Sequence, residues 1–505
     1  MKKSLIILVV ILVLAAVLRF YKLSIYPPGL YIDEVSIGYN AYSILKKGVD
    51  QYGVKYPLWF KAYGEYKLPG YIYLTSLSMA VFGKSIFAVR FPSAVLGVAT
   101  ILIFYLFIKE LFAKQFQQQS KHLGLISAFL LAISSWHLQL SRAGFEVNVG
   151  LFFFVLGCWQ ALKYYKQKKI GQILLSYLSF VLTFYIYNSF RIISPIVLAG
   201  LSIFFFTKFE KKRKQLLPIY FVFFLLSIPM MSFSLSSKGA ERFSQISAFN
   251  KKGVDTTLEK ITSYPLIYLI NFILHFGTNF LFNYGDGIKR HVMKDFGMLS
   301  RWQLPLLIFG FVGVFKNRDK LWGKVLIILA LLAPLASSLT TPSPHGLRSY
   351  LLVVPLTAIV SFGIFTLYKK LKGRSRWLVI VLISLVGLYE FIFHQHFYYV
   401  HYPQLRVLDW GAGYKQTVEK ATELSSNYDK IIVNSTVGGE LYFEFYNDEL
   451  NAEFVDPGWN KPEELDDKKV LYITGSVEDP SDKMIEMIYF PHQLNQDVFA
   501  TFWEI

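Results

Sequence analysis

Apolar stretches long enough to cross a bilayer recur along almost the whole of this 505-residue chain. The hydrocarbon core of a membrane is about 30 Å thick, so a crossing helix needs about 17–25 mostly apolar residues. Such stretches lie near 4–20, 87–108, 123–141, 147–163, 172–188, 192–207, 215–232, 303–316, 325–340, 350–368 and 377–393, the shortest spanning with their flanks. With 54% hydrophobic and only 17% charged residues, an ordinary soluble enzyme, a disordered chain and a collagen-like one are all excluded. The expected fold class is a polytopic α-helical membrane protein with about eleven crossings plus juxtamembrane helices.

Charge orients these crossings. Basic loops mark the cytoplasmic side, and the strongest run Lys208 to Lys214, Lys163 to Lys169, Lys316 to Lys324 and Lys369 to Arg376, with Lys109 to Lys121 a weaker fifth. Placing all five inside puts the amino terminus inside and two large loops outside, 21–86 and 233–302. That parity requires that 69–83 and 264–282 do not cross. The first is short, and the second carries Asn271, His275 and Asn279. The first apolar stretch reads as an uncleaved anchor, because no small-residue cleavage pattern follows Arg19-Phe20-Tyr21.

The net charge of +18 is unevenly placed. Residues 401–505 hold 20 acids and 8 bases, a net of −12, so the remainder carries +30. A membrane domain, 1–393, is therefore expected to join a small extracytoplasmic α/β domain, 394–505. In the latter, Ile431-Ile432-Val433 and Val470-Leu471-Tyr472-Ile473 read as buried strands and 412–426 as a helix. Cys158 is the single cysteine, which excludes a disulfide framework and a cysteine zinc site.

The unusual charges cluster at the expected outer ends of helices. Asp33-Glu34 sits in the first outer loop, where an acidic pair can simply cap the following helix. Arg90, Arg142, Arg191, Arg301 and Arg348 all map to the side where bases are disfavoured. One such arginine is an anchor or a structural pair; five suggest an anion site at the membrane surface. Arginine suits phosphate because its planar fork donates two parallel hydrogen bonds and stays charged. Lys67 adds a cation in the first outer loop, or alternatively faces lipid headgroups. Glu146 follows Arg142 at i,i+4, which permits a local salt bridge. Asp286, His291 and His345 also lie outside and could bind a divalent metal, but no two have close ligand spacing, so no cofactor is expected. There is no Walker loop and no dinucleotide fingerprint, so neither a soluble nucleotide donor nor a nucleic-acid partner is expected.

These residues carry a resemblance. Asp33-Glu34, then the Lys67-Leu68-Pro69 stretch, then Val89-Arg90-Phe91-Pro92-Ser93-Ala94 opening a helix, resembles the GT-C glycosyltransferases. The pattern is most similar to the protein O-mannosyltransferase and aminoarabinose transferase group. Ser135 to Asn148, Tyr187-Asn188-Ser189-Phe190-Arg191 and Asn283-Tyr284-Gly285-Asp286-Gly287 are similar to stretches of bacterial members. The resemblance implies a sugar donor linked to polyprenyl phosphate, an active site on the outer face of the plasma membrane, and a glycan, lipid or protein hydroxyl as acceptor. It implies that Asp33 is the catalytic carboxylate, that Glu34 assists and that Lys67 contacts the donor phosphate; the outer-end cluster of Arg90, Arg142, Arg191 and Arg348 is expected to bind that phosphate as well. Glu146, Asp286, His291 and His345 are left as acceptor or sugar contacts. A polymerase, ligase or flippase acting on polyprenol-linked glycans is the alternative, although a flippase needs charges within its helices. Apart from Glu390, the helices here are nearly free of them.

Overall fold

The structure, a computed structural model, describes residues 2–250, 257–434, 439–455, 469–474, 483–489 and 498–504. Its first helices are α1 (Lys2–Phe20) and α2 (Ile32–Lys47), followed by short strands β1 (Phe60–Ala62) and β2 (Glu65–Lys67). Then come α3 (Pro69–Phe82), α4 (Ile86–Phe116), α5 (Ser120–Ile133), α6 (Ser135–Ser141), α7 (Glu146–Gln167), α8 (Ile170–Phe184) and α9 (Phe190–Lys208). The chain continues through α10 (Arg213–Leu235), α11 (Ser237–Ile246), α12 (Thr257–Leu274), α13 (Gln303–Lys316), α14 (Leu321–Leu332), α15 (Leu335–Ser338), α16 (Val353–Lys370) and α17 (Gly373–His396). The tail adds α18 (Tyr402–Leu405), α19 (Tyr414–Leu424), β3 (Lys430–Asn434), α20 (Gly439–Tyr446), β4 (Ala452–Val455), β5 (Val470–Thr474), β6 (Lys483–Tyr489) and β7 (Val498–Glu504).

Among the described residues, nine helical spans are long and apolar enough to cross a membrane, and α8 and α13 are shorter apolar helices. The expected segments 87–108 and 123–141 fall on α4 and α5, which are parted at Gln117 (φ +44°) within one apolar run, Ile86–Ile133. This ends where the Ser134 hydroxyl accepts the backbone N–H of His137 at 3.3 Å and starts α6, an N-cap by a residue type that favours it. Segment 264–282 falls on α12 and the turns that follow it. Lys260–Asn283 has the length and hydropathy of a crossing. Its polar residues are satisfied inside the protein. Asn271 donates to the Ser338 carbonyl at 3.1 Å, and Nε2 of the buried His275 lies 2.8 Å from the Ser337 hydroxyl.

Many apolar side chains lie open on these helices, among them Leu378, Leu382, Leu385 and Leu388 of α17. So much exposed apolar surface fits lipid rather than water. Packing divides the chain into two compact units: 1–21, 64–71 and 92–394 form one; 22–63, 72–91 and 395–505 form the other. In the first unit, α13 and α16 approach through glycine. A Cβ on Gly310 would meet the Ile359 carbonyl at 2.1 Å, and one on Gly363 the Leu306 carbonyl at 2.2 Å. Small residues let helix backbones touch where no hydrophobic force separates helix from lipid.

The second unit departs from the expected boundary at 393/394. The tail does not stand alone but packs with residues 22–63 and 72–91 of the first outer loop and the start of α4. The expected strands and helix of the tail are present. β3 pairs in parallel with β4 and β5, while β7 runs antiparallel to both β5 and β6, giving the order β4-β3-β5-β7-β6. Ile431, Val433, Leu471, Ile473 and Phe502 pack with Val418, Ala421 and Phe443 from α19 and α20. Burial of both faces explains why β5 reads as an unbroken apolar run.

Candidate functional site

The acidic pair belongs to the second unit and opens α2. Its N-cap is Tyr31, not an acid, and the capping is done by Glu34, whose Oε2 accepts the Tyr31 N–H at 3.3 Å. Glu34 is wholly buried. Arg90, also wholly buried, grips it as a fork: Nε lies 2.9 Å from Oε1 and Nη2 3.0 Å from Oε2. Nη1 donates to the carbonyls of Leu23 at 3.0 Å and Pro27 at 2.8 Å, and Nη2 also to that of Gly29. All five guanidinium N–H groups thus meet acceptors of the protein itself. The fork of Arg90 is engaged by Glu34 and by loop 23–29.

Asp33 is the half-buried member of the pair. Adjacent helical residues do not share a face, so the burial of Glu34 leaves Asp33 on another side. Close by, Tyr63 donates to the Ile32 carbonyl at 3.4 Å. Burial, then the charges of Asp33 and of Glu440 from the tail, push the Tyr63 hydroxyl well above its ordinary range, so it stays protonated.

The remaining expected cations lie in the other unit, where three of them take structural posts. Arg142 donates to the Leu18 carbonyl at 2.6 Å and to that of Tyr21 at 2.8 Å, satisfying the end of α1. Arg191 donates to the Ser234 hydroxyl at 2.7 Å, the Asn188 side chain at 3.0 Å and the Gly239 carbonyl at 3.3 Å, bracing the corner between α10 and α11. Arg301 donates to the carbonyls of Phe282 and Asp295.

A different group does converge. Lys67 is nearly buried and lies 3.8 Å from Oε1 of Glu65, whose Oε2 receives Nε of Arg242 at 2.9 Å. Arg348 donates to Thr340 Oγ1 at 2.9 Å and the Thr341 carbonyl at 3.0 Å, and it feels Tyr187, Arg242, Asp286 and Glu65. Its pKa is lowered, first by burial and then by Arg242, the mark of a desolvated cation that an anion would relieve. Glu146, at the first turn of α7, and Glu65 act with Arg348 and Arg242 on Tyr187. Sequence reading missed Arg242 because it sits on the amphipathic α11 within an expected loop. Only its pairing with Glu65 singles it out.

Asp286, His291 and His345 also come together, although no two are neighbours in sequence. Their donor atoms all lie within 4.8 Å of one another. Asp286 Oδ2 is 2.7 Å from His291 Nδ1 and 3.9 Å from His345 Nδ1. Backbone N–H groups of Gly346 and Ile288 hold the carboxylate at 2.8 and 3.0 Å. Burial, then His291 and Arg348, lower the His345 pKa well below its usual value; the neutral imidazole is the form that ligates metal. One carboxylate and two imidazoles, oriented by backbone donors, are a donor set that zinc takes. The same atoms also form a hydrogen-bonded clasp between the two loops.

Residues 67–233 match the family model described as dolichyl-phosphate-mannose-protein mannosyltransferase. No curated protein matches the sequence. Among solved structures, ArnT from Cupriavidus metallidurans in the apo state aligns with a TM-score of 0.57 at 10% identity, covering 99% of this chain and 98% of that one. The same enzyme bound to undecaprenyl phosphate gives 0.53 at 11%, covering 98% and 97%. The oligosaccharyltransferase of Archaeoglobus fulgidus gives 0.55 at 15%, covering 90% of this chain and 65% of that one; its complex with zinc and sulfate is similar as well, at 0.53 and 16%, covering 90% and 62%. This chain thus spans about two thirds of the archaeal enzyme's length. The resemblance to the GT-C group is borne out, and the fold is of that type.

Proposed function

We propose that this chain is a membrane glycosyltransferase that moves a sugar from a polyprenyl-phosphate donor to a hydroxyl acceptor on the outer face of the plasma membrane. The family match over residues 67–233 carries the reading, and a similar enzyme of nearly equal length bound to undecaprenyl phosphate supports the donor class. The sidedness is read from the basic loops, on the parity in which 69–83 and 264–282 do not cross.

Asp33 is assigned as the base that takes the proton of the acceptor hydroxyl as its oxygen bonds to the anomeric carbon. The bond from that carbon to the phosphate breaks, and its electron pair leaves on the phosphate oxygen. That oxygen needs positive charge rather than a proton, the role assigned to Lys67, Arg242 and Arg348. Attack opposite the leaving phosphate makes the transfer inverting.

Binding of undecaprenyl phosphate tests the phosphate assignment. Lys67→Ala and Arg348→Ala are expected to weaken it roughly tenfold to a hundredfold, the worth of a charge-assisted hydrogen bond of about 1.5–3 kcal/mol. Arg348→Lys should also weaken it, since a point charge cannot reproduce the fork. Unchanged affinity in both alanine variants would move the phosphate elsewhere.

Asp286, His291 and His345 are assigned to a divalent ion, which when bound supplies a fixed positive charge. Equilibrated with zinc and dialysed, the protein should retain about one equivalent, and His291→Ala with His345→Ala should lose it. Equal retention by both proteins would leave the three residues as a clasp.

A further inference from the structure

Leu30 lies one residue before the N-cap of α2, and its carbonyl accepts the Tyr442 hydroxyl at 2.8 Å across 412 residues of sequence. Tyr442 is buried and stacks on Tyr414 with ring centroids 3.9 Å apart. The backbones themselves touch here. A Cβ on Gly411 would meet the Tyr442 hydroxyl at 2.5 Å and the Leu30 carbonyl at 2.6 Å, and one on Gly29 would meet the Trp410 carbonyl at 2.5 Å. Both glycines have positive φ, +56° and +70°, which other residues rarely adopt. The Trp410 indole, donating to the Tyr402 hydroxyl at 3.0 Å, sets its ring edge-on to Tyr31 at 5.4 Å. The turn that launches α2, and with it Asp33 three residues on, is thus built against the tail.

We propose that Tyr442 is a positioning residue for Asp33, so that the acidic tail sets the catalytic carboxylate in place without itself reacting. This rests on the reading of Asp33 as the base. Misplacement of a catalytic group by about 1 Å costs up to about a hundredfold in rate, and a lost hydrogen bond leaves the buried Leu30 carbonyl without its tyrosine partner.

The test uses the full chain in nanodiscs with undecaprenyl-phosphate-linked radiolabelled mannose as probe. Tyr442→Phe should fold, keep the donor KM and lower kcat roughly tenfold, while amides 31–36 exchange faster with solvent. Tyr446→Phe is the control. That hydroxyl lies on the same helix, is buried and has no hydrogen-bond partner among the described residues, so kcat should not change. Faster exchange with wild-type kcat would make Tyr442 a structural contact only and overturn the proposal, as would no change in either. Asp33→Asn is run alongside: if it turns over normally the base assignment falls, whereas an inactive Asp33→Asn beside an unaffected Tyr442→Phe sinks the positioning role alone.

Discussion

Asp33→Asn should fold, bind undecaprenyl phosphate as the parent does, and transfer sugar two to four decades more slowly, the roughly 10²–10⁴-fold expected from loss of a general base. The substitution is nearly isosteric, so packing around the half-buried side chain is kept. A helix-capping role predicts a different result. The N-cap is Tyr31 and the acid that caps it is Glu34, so as a charge at the first turn of α2 Asp33 acts on the helix dipole, worth about 0.3–1 kcal/mol. That loss is too small to stop the enzyme. A rate within threefold of the parent, measured with a labelled lipid-linked sugar, would falsify the base assignment.

Arg90→Ala is expected to act on the fold, not on the donor. It leaves Glu34 buried with its charge unpaired, and breaking such a pair from one side costs about 3–5 kcal/mol. The carbonyls of Leu23, Pro27 and Gly29 lose their donors as well. Arg90→Lys should recover little, because one ammonium cannot reach two carboxylate oxygens and three carbonyls. The double change Glu34→Gln with Arg90→Met should unfold at a higher temperature than Arg90→Ala, since removing both charges removes the desolvation penalty along with the attraction. Thermal unfolding in one detergent compares the three. If Arg90→Ala unfolds like the parent yet loses tenfold or more in affinity for undecaprenyl phosphate, Arg90 is a phosphate ligand after all.

Tail deletion is reframed by the same geometry. The acidic charge and strand pattern of 394–505 suggest a detachable soluble domain. The contacts of Gly29 with Trp410 and of Leu30 with Tyr442 make the tail part of the body that holds Asp33. Point changes such as Tyr442→Phe are therefore the cleaner probe.

Hydropathy and charge determined the membrane class, most of the crossings, the strands of the tail and the residues on which to look for chemistry. These depend on local composition and on a period of two or 3.6, which a single sequence displays. The pairings were decided only in three dimensions. Arg90 and Arg348 read alike as outer-end arginines, yet one is saturated by Glu34 and the other stands with Arg242 beside Glu65. Asp286, His291 and His345 meet across more than fifty residues, with no spacing to announce it. The reason is physical. The charge of an arginine is a property of the residue, but what that charge is spent on depends on which acceptors the fold brings within about 3 Å, and that distance is set by contacts remote in sequence.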